Sequence, residues 1–367
     1  MRNFQFQVVL TERCNLGCTY CYIHKNPVDM TIETYNLHMK SLRRLLELYS
    51  CDTYDLACFG GEPLLNWDLI EQIIPEARKD PSCRRIILVT NGLLLDDYRI
   101  HFLQSNEIHY SISFDGLWND INRPLINGQP SFPQYEKARS LFGVNGCKVM
   151  VSPSSLPTLV ENYGWFVEEF NMPFPDFTIV RDDIWSDDDV SLMDVKAKEL
   201  ADQVIEYIQS GKETMVGLFR LYMLDIVCSH MYGKRPYGCF AGYKGAGFMP
   251  NGMIYPCARF GSNQKFPLGN SITSEFYESN MYIMKSPEVA NPRTYEECKV
   301  CKLYKICNAG CTYEQLVQRG GIYKAVPVRS VCEILKILYR ESVRIADVLK
   351  DSPIFQKLLK NAISNCN

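Results

Sequence analysis

No apolar run in this chain of 367 residues approaches the ~20 needed to cross a bilayer, although apolar residues make up 46% of it. Charge of either sign is scarce as a surplus: 39 Lys and Arg stand against 42 Asp and Glu, a net of −3. That is too even for a strong hold on phosphates, so a nucleic-acid binder is disfavoured. The stretch Met1 to Gln7 has none of the charged, apolar and small-residue regions of a secretory signal and enters a strand pattern directly, which leads us to expect a cytoplasmic protein with no membrane partner. Internal repeats and low-complexity segments are missing too. Histidine is rare, 5 residues, and none has ligand spacing. Cysteine is plentiful: there are 16, and Cys14, Cys18, Cys21, Cys239, Cys257, Cys298, Cys301, Cys307, Cys311 and Cys332 fall into spaced groups. Without a signal, such density reads as metal ligation and not as a disulfide framework.

The first half alternates short β-branched or aromatic runs with helical patterns. Strands are expected at Phe6 to Thr11, Tyr54 to Phe59, Arg85 to Thr90, His109 to Phe114, Lys148 to Ser152 and Phe177 to Val180. Between the first two, Leu37, Leu42, Leu45, Leu46 and Tyr49 share one helical stripe, and a second helix is expected from Trp67 to Ala77. Strand-helix alternation implies an α/β fold with a parallel sheet, and six units are too few for a complete eight-stranded barrel. We therefore expect a partial barrel over residues 1–215 and a smaller domain over 216–367. The Gly-rich and Cys-rich stretches of that second part suggest irregular backbone clipped by metal, ending in a helix from Val331 to Leu349. The acidic run Asp182 to Asp189 is expected to be a solvated loop opening a helix at Asp194, or a dock for a basic peptide.

Cys14, Cys18 and Cys21 follow the first strand on one short loop. Three thiolates there hold three corners of a 4Fe-4S cube and leave the fourth iron bare for a substrate or cofactor. A structural zinc site is the alternative, but it needs a fourth ligand, and the nearest, His24, lacks paired spacing. Gly60-Gly61-Glu62-Pro63 follows the second strand: glycines permit close backbone approach to a ligand, and Glu62 offers an acceptor for an ammonium group. Thr90-Asn91-Gly92 and Ser113-Phe114-Asp115-Gly116 end the third and fourth strands, where parallel α/β folds bind ligands.

This set resembles the signature of the radical S-adenosylmethionine (SAM) enzymes, Tyr20 before the last cysteine included. The resemblance implies that the cluster's open iron chelates SAM, that Gly60, Gly61, Glu62 and Pro63 contact its amino group, and that an electron cleaves SAM to a 5'-deoxyadenosyl radical. It further implies SAM contacts from Thr90, Asn91 and Ser113, with Asp115 shaping its turn and Arg123 in a loop where relatives carry an arginine. Ser152 to Ser155 lacks the asparagine expected after the fifth strand.

Cys239, Cys257, Cys298, Cys301, Cys307, Cys311 and Cys332 match the seven-cysteine spacing of the SPASM extension. By that resemblance Cys298, Cys301, Cys307 and Cys332 close one auxiliary 4Fe-4S cluster, and Cys239, Cys257 and Cys311 hold a second, giving three clusters in all. Cys228 is a possible fourth ligand of the second, against a buried thiol. Cys51, Cys58, Cys83, Cys147 and Cys366 lie singly and are expected to be core or surface thiols.

SPASM enzymes are mainly peptide and protein maturases. Sulfatase-maturing relatives carry an Asp directly after the Tyr-Pro-Cys cysteine; here Tyr255-Pro256-Cys257 is followed by Ala258, which takes no proton. The Pro-Cys-x-Arg-Phe run looks more like enzymes that form thioether or carbon-carbon crosslinks in ribosomally made peptides. The reading is an oxidative peptide maturase. Formylglycine formation, a small-molecule or nucleotide substrate, and a non-catalytic Fe-S binding module are its alternatives. Expected partners are a peptide, a separate leader-binding protein, and an electron donor such as flavodoxin or ferredoxin. The general base is unassigned, with Asp225, Tyr243 and Tyr255 as candidates by proximity to the auxiliary ligands.

Overall fold

The computed structural model describes residues 2–138, 147–182, 184–219, 239–286, 289, 296–304, 307, 310–320 and 326–364. Cys228, Asp225 and Cys366 lie outside them. The strands are β1 (Asn3–Val9), β2 (Thr53–Phe59), β3 (Cys83–Thr90), β4 (His109–Ser113), β5 (Cys147–Val151), β6 (Asp176–Ile179), β7 (Gly245–Phe248), β8 (Met253–Tyr255), β9 (Gly269–Asn270) and β10 (Glu275–Phe276). The chain forms two compact units, the first Met1–Ser113 with Asn122–Asn145 and Phe240–Ala290, the second Phe114–Ile121 with Gly146–Cys239 and Asn291–Asn367.

In the first unit β1 to β4 run parallel in chain order, with Phe6 opposite Leu56, Leu56 opposite Ile86 and Leu88 opposite Tyr110. Tyr54 to Cys58 are buried on both faces, as parallel strands between helical layers must be. Helix Ile32–Leu48 begins where the Thr31 hydroxyl accepts the Thr34 amide and buries Tyr35, His38, Leu42, Leu45 and Leu46. Helix Trp67–Lys79 buries Trp67, Ile70, Ile73, Ile74 and Ala77, and helix Asp97–Ser105 is capped by Asp96. The strand-helix alternation expected from the sequence is the observed one. β1 ends at Val9, short of the expected Thr11, because the Thr11 hydroxyl turns to Asp29, at 2.5 Å.

The Gly-rich stretch after residue 239 is more regular than its composition suggests. β7 pairs parallel with β1 on the edge away from β2, and β8, β9 and β10 continue from it antiparallel. Gly245-Ala246-Gly247-Phe248 reads poorly as a strand, since glycine lacks a side chain to pack. Here space is the reason for glycine. A Cβ on Gly247 would lie 2.4 Å from the carbonyl carbon of Cys257, and one on Gly245 would lie 2.7 Å from Gln5 Cβ. His38 ties the first helix to this extension through Ser271 Oγ at 2.7 Å and the Met249 carbonyl at 2.9 Å. Burial lowers its pKa to about 4, so the ring is neutral and structural, in line with its lack of ligand spacing.

In the second unit β5 pairs parallel with β6, and helix Leu159–Glu168 packs Phe166 against Phe114 and Phe177. The acidic run departs from expectation: helix Asp187–Gln209 already starts at Asp187, with Ser186 and Asp189 forming a reciprocal capping box. Asp187, Asp188 and Asp189 occupy the first turn, where carboxylates complement the exposed amides and the helix dipole. The expected C-terminal helix spans Arg329–Leu349, and a further helix follows at Pro353–Ser364. Buried Glu341 accepts from Arg340 at 2.7 Å and Arg344 at 2.6 Å, and Arg344 also reaches Asp202 on helix Asp187–Gln209 at 2.6 Å. Glu341→Ala would leave two arginines without their buried anion and should lower stability by about 2 kcal/mol, read from denaturant midpoints. No helix among the described residues is long and apolar enough to cross a membrane.

Candidate active site

Cys14, Cys18 and Cys21 sit on the loop that leaves the carboxyl end of β1. Its entry is braced by Arg13, whose guanidinium grips Asp29 through Nε at 2.8 Å and Nη2 at 2.6 Å and also reaches the Leu65 carbonyl at 3.0 Å. Its far side is laced to the segment after residue 121. The Gly17 amide donates to the Pro124 carbonyl at 2.7 Å, the Thr19 amide to the Asn122 carbonyl at 2.9 Å, and the Ile126 amide to the Asn15 carbonyl at 3.0 Å.

The remaining wall is Gly60-Gly61-Glu62. The Gly61 amide donates to the Thr11 carbonyl at 2.9 Å and the Glu62 amide to the Arg13 carbonyl at 2.8 Å. The two glycines also fit tightly against neighbouring backbone. A Cβ on Gly61 would lie 2.3 Å from the Arg13 oxygen and 2.9 Å from Cys14 Cβ, and one on Gly60 would lie 2.6 Å from the Thr11 oxygen. The glycines let the end of β2 lie against the base of the cysteine loop. Gly61→Ala must push that backbone aside, and we expect a loss of about 2–3 kcal/mol together with poor cluster loading, read by thermal unfolding and iron content.

Glu62 is fully buried. Its carboxylate accepts three hydrogen bonds: from Thr90 Oγ1 at 2.7 Å, the Asn91 amide at 2.7 Å and the Leu64 amide at 3.0 Å. A carboxylate has about four acceptor sites, so one remains for an incoming cation. Burial pushes its pKa up to about 7 while the three donors pull it down. Asn91 also donates from Nδ2 to Asn15 Oδ1 at 2.6 Å, so the end of β3 is joined both to Glu62 and to the cysteine loop. Thr90 and Asn91 thus aim Glu62. Pro63 is buried and opens the turn Pro63–Asn66, whose N-cap is Glu62.

Arg123, singled out only as a loop residue, is buried, and its guanidinium lies 5.3 Å from the centre of the Tyr20 ring. Proximity along the chain gives no hint of this pairing. Ser113 ends β4 half-buried, and its carbonyl accepts from the Tyr135 hydroxyl at 3.1 Å. Asp115 is buried in its turn, with Oδ1 accepting the Met150 amide at 2.8 Å and its carbonyl accepting Asn162 Nδ2 at 3.0 Å. Ser152 forms a capping box with Ser155 and starts the turn Pro153–Thr158.

The residues fit the expected cofactors by donor chemistry. Burial raises the Cys14 thiol to about 11, and the nearby Glu62, Cys18 and Cys21 raise it further; thiolates gathered this way call for a cationic centre to stabilise them. Among the described residues no three His, Cys, Asp or Glu side chains converge as the ligands of a single metal ion do. In the second unit Cys298, Cys301, Cys307 and Cys332 line one cavity. Cys239, Cys257 and Cys311 are half-buried, and Cys257 precedes the short helix Ala258–Ser262. Ala258 is buried, and its amide donates to Gln7 Oε1 at 3.1 Å. Tyr255 is buried with its pKa raised by that burial, which makes it a poor base near neutral pH, whereas Tyr243 is 45% exposed.

Residues 8–162 match the family model of the radical SAM superfamily. Over that segment the chain carries a radical SAM domain. The family implies a 4Fe-4S cluster and SAM as cofactors. An uncharacterised protein of Methanocaldococcus jannaschii is 35% identical over 166 residues, 44% of this chain and 54% of that protein, so the chain spans about half of that relative's length. The cysteine-type anaerobic sulfatase-maturating enzyme of Clostridium perfringens strain 13 is 26% identical over 326 residues, 81% of this chain and 85% of the relative. The subtilosin biosynthesis protein AlbA of Bacillus subtilis is 25% identical over 304 residues, 79% of this chain and 62% of AlbA. The solved structure of native anSMEcpe with bound AdoMet and the Cp18Cys peptide has a TM-score of 0.71 at 20% identity, covering 94% of this chain and 99% of that one. A likeness that distant establishes the shared fold. The chain therefore has the α/β architecture, with its parallel sheet, that the sequence implied.

Proposed function

We propose that this enzyme oxidatively modifies a peptide, forming a thioether or carbon-carbon crosslink in a ribosomally made substrate. The observation that carries the choice is Ala258. Sulfatase-maturing relatives bear a carboxylate at that position, and here a buried methyl group stands there, with the backbone amide bonded to Gln7. Ala258 itself cannot take a proton. The peptide in the anSMEcpe complex and the bacteriocin named in AlbA's description support a peptide as substrate class.

In this reading Cys14, Cys18 and Cys21 hold the SAM-binding cluster, and Glu62 receives the ammonium of SAM, oriented by Thr90 and Asn91. Gly60, Gly61 and Pro63 form the wall beneath it. Ser113, Asp115, Arg123 and Tyr20 are the further SAM-binding residues of this reading. When bound, cluster and SAM supply the 5'-deoxyadenosyl radical that removes hydrogen from carbon. Cys298, Cys301, Cys307 and Cys332 hold one auxiliary 4Fe-4S cluster, and Cys239, Cys257 and Cys311 a second. A leader-binding protein and a low-potential electron donor complete the system.

Formylglycine formation is a second reading, favoured by the 85% coverage of the C. perfringens enzyme. Anaerobic incubation with SAM, a reductant and cysteine-containing peptides separates the two. Crosslinking gives 5'-deoxyadenosine and a peptide lighter by two hydrogens with its sulfur retained. Loss of sulfur with gain of an aldehyde would replace our reading by the second. Absence of 5'-deoxyadenosine with every peptide would sink both.

A further inference from the structure

The sulfur-lined cavity of the second unit has a charged neighbour. Its walls are Cys298, Cys301, Cys307 and Cys332 with apolar Leu303 and Leu335, and among the lining residues Lys336 alone carries a permanent charge. Lys336 lies four residues after Cys332 on helix Arg329–Leu349, so both project from the same helix face. Its ammonium bonds Glu333 at 2.8 Å, and the two side chains are 49% and 43% exposed. Lys336 thus lines the cavity with a side chain that is about half exposed.

We propose that Lys336 raises the reduction potential of the cluster held by Cys298, Cys301, Cys307 and Cys332, and that its partner Glu333 limits how far. The inference rests on the reading that these four cysteines hold a cluster. A cube with four thiolates is an anion, and accepting one electron makes it more negative. A cation fixed beside it stabilises the reduced form more than the oxidised one, and leucine walls keep water from screening the field. Half-exposure and the ion pair with Glu333 keep the effect modest.

The test is a redox titration of the full, anaerobically reconstituted enzyme, followed by electron paramagnetic resonance. The relevant signal is the one lost in a Cys298→Ala, Cys301→Ala double variant. Lys336→Met keeps the stem and removes the charge, and Glu333→Gln frees the ammonium. At a fixed potential near the midpoint, the first should lower the ratio of reduced to oxidised cluster about threefold and the second should raise it by a similar factor, with both shifts shrinking in about 1 M salt. Opposite signs and salt sensitivity would not arise from a packing role. Loaded cluster with an unmoved midpoint in both variants overturns the proposal and leaves the four-cysteine assignment standing. If Lys336→Met fails to load, Glu333→Gln alone decides. If the double cysteine variant loses neither iron nor signal, the assignment itself falls and the proposal with it.

Discussion

Replacing Cys14, Cys18 and Cys21 together by Ala abolishes SAM cleavage and removes about four irons per chain, one 4Fe-4S cube, while leaving the iron bound by the later cysteines. The three thiols share one loop, and that loop is fixed chiefly by backbone bonds and by Arg13, while Cys14 Sγ accepts the Leu16 amide at 3.4 Å and Cys21 Sγ donates to the Ile23 carbonyl at 3.9 Å. Loss of sulfur should therefore cost the cluster and spare the fold. The measurements are iron content, far-ultraviolet circular dichroism and 5'-deoxyadenosine release. SAM cleavage surviving in the triple variant would dissolve the site assignment. A collapse of secondary structure would show that the loop is held by its metal and not by its neighbours.

The second large effect concerns Glu62. Its pKa of about 7 makes SAM binding pH-dependent in a defined direction. Above that value the carboxylate is charged and meets the SAM ammonium directly. Below it, one proton must leave for each SAM bound, so the Kd should rise towards tenfold per pH unit as pH falls. Glu62→Gln keeps the shape and removes the charge. We expect SAM to bind about a hundredfold more weakly, the scale of one buried charge-assisted hydrogen bond, with the pH dependence between 6 and 8 flattened. Anaerobic calorimetry on cluster-loaded enzyme checks both. A wild-type Kd that stays level across that range would place the ammonium elsewhere.

Much of the architecture was legible because it rests on patterns that sequence carries openly. Six β-rich runs at strand-helix spacing gave the parallel strands β1 to β6 within a few residues of their observed ends, and the cysteine spacing marked the loop and the later group. What was hidden depends on space and not on periodicity. Gly245 and Gly247 look unsuited to a strand until Gln5 and Cys257 are seen to press on them. Gly60 and Gly61 likewise lie against the Thr11 and Arg13 carbonyls, and a glycine's neighbours cannot be inferred from its own identity. Arg123 over Tyr20 joins residues about a hundred positions apart, and no local rule connects them. Within the acidic run the helix starts at Asp187 and not at Asp194, because Ser186, three residues before Asp189, supplies the cap.

The bracing of the cysteine loop also bears on how the enzyme is made. Residues 11 to 19 take their shape from partners at Gly61, Glu62 and Asn122 to Ile126, so the loop has nothing to lean on while only the first strand has left the ribosome. Its thiols spend that interval without their scaffold, open to oxygen and to stray metal. Iron delivery must wait for a stretch of chain more than a hundred residues downstream, and a slow or stalled ribosome would lengthen the time in which the nascent sulfur atoms are vulnerable.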